Sequence, residues 1–376
     1  MADKSAIEWT DATWNPIVGC SILTPGCTHC YAMGMAARIE AMTAVLVEKG
    51  QTGAPHYDGT TRKVNGKAVW TGKLAIAPDH ILLEPLIWRA PRRIFVNSMG
   101  DLFHEDVPDE WIDKVFAVMA LAPQHTFQVL TKRAKRMRDY VSTRAGDWMI
   151  VLPDAHPPGS LPMTKNDVER HLGRYAKFRY DPPTPTWPLR NVWLGVSAER
   201  QIEWDERTEA LEHTPAAIRF VSIEPMLGPI DCRFGVHHHP DNVPSPQLGA
   251  IVRATRRMLS AEAGIGMLDW IIVGGESGPS ARPMHPAWAR SIRDQCAAAG
   301  VPFFFKQWGA YRPCTTAELK TACGAVLVDR RKECGYYCDD DVGCVDHGGE
   351  YILHVGKKAA GRLLDGIEHN AMPEAR

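Results

Sequence analysis

Cys20, Cys27 and Cys30 carry the clearest chemical signal in the chain, in the run Cys20-Ser21-Ile22-Leu23-Thr24-Pro25-Gly26-Cys27-Thr28-His29-Cys30-Tyr31. The C-x2-C spacing of Cys27 and Cys30 lets two thiolates face one metal centre, and Pro25-Gly26 supplies a turn just before them. Cys20 is near enough for the loop to fold around a single cluster. Three thiolates on a cubane iron–sulfur cluster leave one iron without a protein ligand, free to take a cofactor or substrate. Three other readings stand beside it. Zinc could take the three thiolates with His29 or a distant residue as fourth ligand. Cys27 and Cys30 could form a thioredoxin-like redox pair. The three cysteines could also be unrelated.

Further polar residues gather just beyond short apolar runs. They are Asn97-Ser98-Met99-Gly100-Asp101, Thr131-Lys132-Arg133, Ser197-Ala198-Glu199, Glu224-Pro225 and Gly274-Gly275-Glu276-Ser277. The runs before them read as strands over 93–97, 126–131, 191–196, 218–223 and 270–274. Residues 14–19 form the first strand, just before the cysteine loop, and 302–305 a possible seventh. Near-continuous apolar stretches such as Phe127-Gln128-Val129-Leu130 and Trp270-Ile271-Ile272-Val273 suit parallel strands buried on both faces. Helical patterns fill the gaps at 109–122, 199–212 and 287–299, the last stopped by Gly300. Alternating strands and helices predict an α/β fold, in which ligands bind beyond the carboxyl ends of the strands.

Two proline-rich or irregular stretches, about 146–189 and 232–266, interrupt this rhythm and read as insertions. A basic run holds Lys132, Arg133, Lys135, Arg136 and Arg138. It reads as a solvated helix face, except that Lys132 and Arg133 leave a strand where they could hold a phosphate. Trp9, Trp14 and Trp308 are candidates to stack on a base. Cys314, Cys323, Cys334, Cys338 and Cys344, with His347 and His354, make a second cysteine-rich region without a strong ligand spacing. Residues 357–366 place Ala359, Ala360, Leu363 and Leu364 at helical spacing.

The 376 residues hold 43 Lys plus Arg against 44 Asp plus Glu, a formal net charge of −1. That balance excludes a chain-wide basic footprint, so any nucleic-acid contact is local. A hydrophobic share of 45% and a charged share of 23% are those of an ordinary globular protein. No run of about 18 uninterrupted apolar residues and no signal-peptide core is evident, so a cytoplasmic protein without a membrane segment is expected. In a reducing compartment the ten cysteines point to metal or redox chemistry rather than a disulfide framework.

The cysteine loop, Cys30-Tyr31-Ala32 and the βα succession resemble the radical S-adenosylmethionine (SAM) superfamily. More closely, the chain resembles a phage- and bacterial-genome-associated radical-SAM-like family of unknown function, found beside three-Cys-motif partner proteins. The matching blocks include Ile7-Glu8-Trp9-Thr10-Asp11-Ala12-Thr13-Trp14-Asn15-Pro16, Asn97-Ser98-Met99-Gly100-Asp101-Leu102-Phe103, Leu130-Thr131-Lys132-Arg133 and Gly195-Val196-Ser197. They continue through Ile223-Glu224-Pro225, Gly274-Gly275-Glu276-Ser277-Gly278 and Phe305-Lys306-Gln307-Trp308-Gly309 to Gly356-Lys357-Lys358-Ala359-Ala360-Gly361-Arg362. One departure stands out: six residues separate the first two cysteines, where the usual superfamily loop has three.

The resemblance implies a partial (βα)6-type TIM barrel of parallel strands over residues 1–309, with a Cys-rich extension and a closing helix over 310–376. It implies a 4Fe–4S cluster on Cys20, Cys27 and Cys30, with SAM as cofactor on its open iron. Tyr31 would sit beside the cluster or the adenine, unless it merely packs at a helix start. Asn97, Ser98 and Asp101 would meet the SAM amino group. Ser197 and Glu199 would bind ribose hydroxyls, although Glu199 could simply begin its helix. Gly274, Gly275 and Glu276 would approach adenine. Glu224 is a further cofactor candidate, or a strand-end carboxylate satisfied by a neighbour. The implied activity is a radical SAM enzyme acting on nucleic acid or a nucleotide, in the manner of DNA repair or modification, with Lys132 and Arg133 on the substrate. An external electron donor such as a flavodoxin or ferredoxin is implied, and a three-Cys-motif protein is a candidate partner. The competing readings are a non-catalytic zinc- or iron–sulfur-stabilised nucleic-acid-binding protein, and a cluster protein that has lost SAM binding.

Overall fold

A computed structural model describes residues 5, 7–144, 187–232, 265–278, 280–314 and 350–374, and the backbone of 325–328. The expected insertions at 146–189 and 232–266 fall almost wholly outside these residues, as do Cys323, Cys334, Cys338, Cys344 and His347. The chain divides into two compact units. One holds Met1–Gly195 and His213–Ile218, and the other holds Val196–Glu212 and Arg219–Ala375.

In the first unit, parallel strands β1 (Ala12–Trp14), β2 (Arg93–Val96) and β3 (Thr126–Thr131) lie side by side and are followed by β4 (Val192–Ser197), which runs on into the second unit. Ala12 pairs with Ile94 and Trp14 with Val96, while Arg93 pairs with Thr126 and Val96 with Val129. Every residue of β4 is buried, as expected of a strand covered on both faces. Helix α1 (Tyr31–Glu48) follows the cysteine loop. Its alanines and methionines are good helix formers. Helix α2 (Asp109–Leu121) opens behind Pro108 with Asp109 and Glu110 in its positive first turn, and buries Ile112, Val115, Phe116 and Met119. Helix α3 (Ala134–Arg144) follows β3.

The strand expected over 14–19 is divided. Asn15 and Pro16 interrupt it, and Ile17–Val18 pairs antiparallel with Ala75–Ile76 instead. This switch places the loop that follows against a second cluster of buried residues, Val18, Ala32, Met33, Ala36, Tyr57, Trp70 and Met99, on which Cys20 and Cys30 also pack. The stretch Pro25–Glu48 is long and apolar enough by composition to cross a membrane, and little of it is buried. It contains Arg38, Glu40 and Glu48, so it is not an uninterrupted apolar run.

In the second unit β4 is followed in the parallel order by β5 (Ile218–Ile223), β6 (Trp270–Gly274) and β7 (Phe303–Gln307). Trp270 pairs with Phe220, and Ile271 with Phe303. Helix α4 (Gln201–Glu212) follows β4. Helix α5 (Pro286–Ala299) is capped by the His285 ring, which accepts from the Ala287 amide at 3.0 Å, and ends at Gly300 with φ 67°. A smaller antiparallel sheet joins Tyr311–Pro313, Glu350–His354 and Ala325–Val328.

The mixed α/β class with parallel strands is as expected, and the possible seventh strand is present. The closing helix read over 357–366 is a single turn, Lys357–Ala360. Gly361 takes φ 69°, a conformation that breaks a helix, and Leu364 pairs with Ile367 instead.

Candidate functional site

The cysteine loop is anchored at its root by backbone. The Gly19 amide donates to the Met99 carbonyl at 3.1 Å, and Gly19 bridges to Gly100 in the loop after β2. Gly19 has φ 91°, and a Cβ there would lie 2.0 Å from the Lys73 carbonyl oxygen. A Cβ on Gly100 would meet the Gly19 and Ile17 carbonyls at 2.9 Å. Gly19→Ala is therefore expected to cost at least about 1 kcal/mol in urea unfolding and to raise the alkylation rate of Cys20, because the loop must lift from its seat.

Beyond the root, Pro25–Cys27 forms one tight turn and Cys30 caps α1, its amide donating to the Cys27 carbonyl at 3.2 Å. None of the three cysteines is in a disulfide. Burial pushes the Cys20 thiol up to about 12, Asp101 adding to the shift and Arg133 opposing it. Burial likewise raises Cys30, with the neighbouring Cys27 contributing. Cys27 is pushed up by burial too, but the Lys132 charge and hydrogen bonds from Leu23 and Thr24 bring it below the usual thiol range. The Cys30 sulfur is close enough to feel both Cys20 and Cys27. Among the described residues, however, no three His, Cys, Asp or Glu side chains converge on a point where a single metal ion would sit.

Beneath the loop lies a knot of buried polar groups. Asp101 accepts from the Thr131 hydroxyl at 2.6 Å, the Phe103 amide at 3.0 Å, the Lys132 amide at 3.0 Å and Arg133 Nη1 at 3.2 Å. Its lone pairs are thus engaged within the protein, which does not fit the expected contact with an ammonium group. Arg133, 5% exposed, does not face outward to a phosphate. It donates to Asp101, to Glu105 at 3.3 Å, to the Ser21 hydroxyl at 2.8 Å and to Cys20 Sγ at 3.5 Å.

His104 completes the knot, with Nε2 2.8 Å from the Ser21 hydroxyl. Its Nδ1 accepts from the Asp106 amide at 3.2 Å, so the ring proton resides on Nε2 and is donated to Ser21. Burial, then the Arg133 charge, holds the His104 pKa below 6.5. The unfolded chain takes up this proton first as pH falls, so stability declines from about pH 6.5 downward through the folded value. His104→Gln is expected to flatten that part of the urea-midpoint profile.

Asn97 follows β2 with φ 59° and is 2% exposed. Its Oδ1 accepts from the Ile17 amide at 3.3 Å, but its buried Nδ2 has no hydrogen-bond partner. A donor left this way suits a ligand acceptor better than an ammonium. Ser98 donates to Asn15 Oδ1 at 3.0 Å, and the exposed Tyr31 donates its hydroxyl proton to the Ser98 carbonyl at 3.1 Å. The first unit therefore brings together Cys20, Cys27, Cys30, Tyr31, Asn97, Ser98, Asp101, Lys132 and Arg133. Ser21, His104, Glu105 and Asn15 were not singled out from the sequence. Their only signal was position, inside or beside the motif blocks.

The remaining candidates lie in the second unit, largely engaged with their own chain. The Ser197 carbonyl accepts from Arg207 Nη1 at 2.6 Å, and Glu199, 0% exposed, pairs with the same guanidinium at 3.2 Å. The helix begins at Gln201, so Glu199 does not open it. Glu224 holds Lys306 Nζ at 2.7 and 2.8 Å, and Glu276 pairs with Arg282 at 2.5 Å. A Cβ on Gly274 would sit 3.2 Å from the Glu224 carboxyl carbon, and one on Gly275 would sit 2.0 Å from the Trp308 carbonyl oxygen. The close approach these glycines permit is therefore to neighbouring protein atoms. Trp9, Trp14 and Trp308, read as stacking platforms, are core residues against Phe95, Phe127 and Phe305.

A family model described as "Protein of unknown function (DUF5131)" matches residues 4–373. No curated protein and no solved structure matches the chain.

Proposed function

The chain belongs to the DUF5131 family over nearly its whole length, and from that premise we propose that it is a radical-SAM-type iron–sulfur enzyme built on a partial (βα)6-type barrel. The observation that carries this reading is the assembly of Cys20, Cys27 and Cys30 on one loop after β1, with Cys30 within electrostatic reach of both other thiols. A cubane takes its thiolates at separate corners, whereas a single zinc ion needs them to converge.

The thiols, the guanidinium beside Cys20 and the Lys132 charge beside Cys27 fit an anionic cluster held by thiolates. Cys20, Cys27 and Cys30 would hold the cluster, which together with SAM would supply one-electron radical chemistry. The fit to SAM rests on Asn97, whose buried Nδ2 is an orphan donor, with Ser98 and Tyr31 beside it. The protein's task is to hold cofactor and substrate in register and to keep water out.

A nucleic acid or nucleotide substrate, an external flavodoxin- or ferredoxin-type donor and a three-Cys-motif partner complete the proposal through the family resemblance. The basic run adds little to it: Arg136 pairs with Asp109 and Arg138 with Asp139, while Lys135 is exposed.

The test is anaerobic reconstitution followed by turnover with a strong reductant. Formation of 5′-deoxyadenosine, stimulated by a polynucleotide, supports the proposal. Stoichiometric zinc without iron rejects it. The pairing of Asp101, Glu199, Glu224 and Glu276 with protein groups favours one rival, a cluster protein that does not bind SAM. Calorimetric titration with SAM separates the two, since a reconstituted protein giving no heat and no spectral change belongs to the rival.

A further inference from the structure

We propose that Arg133 is a positioning residue that delivers an N–H and a positive charge to the Cys20 sulfur and so sets the cluster's reduction potential. This inference rests on the iron–sulfur reading above. Arg133 stands in a basic run, yet its guanidinium is buried, and each nitrogen has a fixed partner. Nε lies on Glu105 at 3.3 Å, Nη1 on Asp101 at 3.2 Å and Nη2 on the Ser21 hydroxyl at 2.8 Å. The planar fork held this way points Nη1 at Cys20 Sγ, 3.5 Å away.

The supports are themselves fixed. Asp101 is held by the Thr131 hydroxyl and the Phe103 and Lys132 amides, and the Ser21 hydroxyl receives the His104 Nε2 proton. A buried guanidinium is costly unless its charge is answered. Asp101 supplies one buried negative charge, while Glu105 is more than half exposed. A cluster gains a further negative charge on reduction. A cation and a hydrogen bond at one of its thiolates stabilise that state most and shift the potential upward.

The experiment compares the full-length wild-type chain with Arg133→Met, Arg133→Lys and Ser21→Ala after anaerobic reconstitution. Iron and sulfide content, an EPR-monitored redox titration and the Fe–S(Cys) resonance Raman bands are measured on each. The expected result is a midpoint shifted to more negative values in Arg133→Met, a smaller shift in Arg133→Lys, and altered Fe–S(Cys) bands in both. Wild-type iron content with unchanged midpoint and bands in Arg133→Met overturns the inference. If Arg133→Met retains no iron, Ser21→Ala decides. It loosens the guanidinium but leaves the cysteines and the Asp101 pair in place, so a negative shift upholds the role and an unchanged midpoint overturns it. Failure of the wild-type chain itself to take up iron and sulfide instead defeats the iron–sulfur reading, and this inference with it.

Discussion

On the iron–sulfur reading proposed above, alanine at Cys20, Cys27 or Cys30 is expected to leave the anaerobically reconstituted chain without a cluster, iron and sulfide falling from about four per chain to near zero. Cys232→Ala and Cys296→Ala are the internal controls. Both are buried thiols of the second unit, so they should retain wild-type iron content. Metal binding must deprotonate each ligand, and burial resists this at Cys20 and Cys30. Iron uptake should accordingly slow as pH is lowered, with Cys27 the easiest ligand to ionise. Colour, iron and sulfide retained in any single loop variant would show that this thiol is not a required ligand.

The second large effect is structural. Arg207→Met removes the cation from Glu199, a carboxylate with no exposed surface whose partner is itself 5% exposed along its side chain. Breaking a buried pair from one side costs about 3–5 kcal/mol, read as a lowered guanidinium midpoint. Arg207→Met combined with Glu199→Gln should recover much of that loss, because the buried carboxylate charge is removed together with its guanidinium partner. A double-mutant cycle isolates the coupling. If Arg207→Met instead left stability intact and altered only the binding of SAM, Glu199 would serve the ligand rather than the fold.

The strands at 126–131, 218–223 and 270–274 were legible to the residue. Their apolar runs are long enough to be buried on both faces, and polar residues mark their ends. The first strand was not, because its interruption depends on Ile17–Val18 finding Ala75–Ile76 far along the chain. The cysteine loop was legible because ligand chemistry repeats at short spacing. Arg133 was expected at a phosphate because it leaves a strand end beside Lys132, whereas its guanidinium is buried against Asp101, an acid from another strand's end. Glu199 posed the same problem in a different guise. It looked like a helix opener, but Arg207 reaches back to it from within α4. Side-chain pairing between separate loops, or across a helix start, leaves no periodic trace in one sequence.

The two oxygens of Asp101 tie the turn after β2 to the turn after β3, and through Arg133 to the loop after β1. Three strand ends are thereby cross-linked by side-chain hydrogen bonds into one rim. The entropy lost in arranging that rim is lost when the chain folds, before any small molecule arrives. A ligand reaching Asn97 would find a donor already aimed, and its own affinity would carry little of the ordering cost.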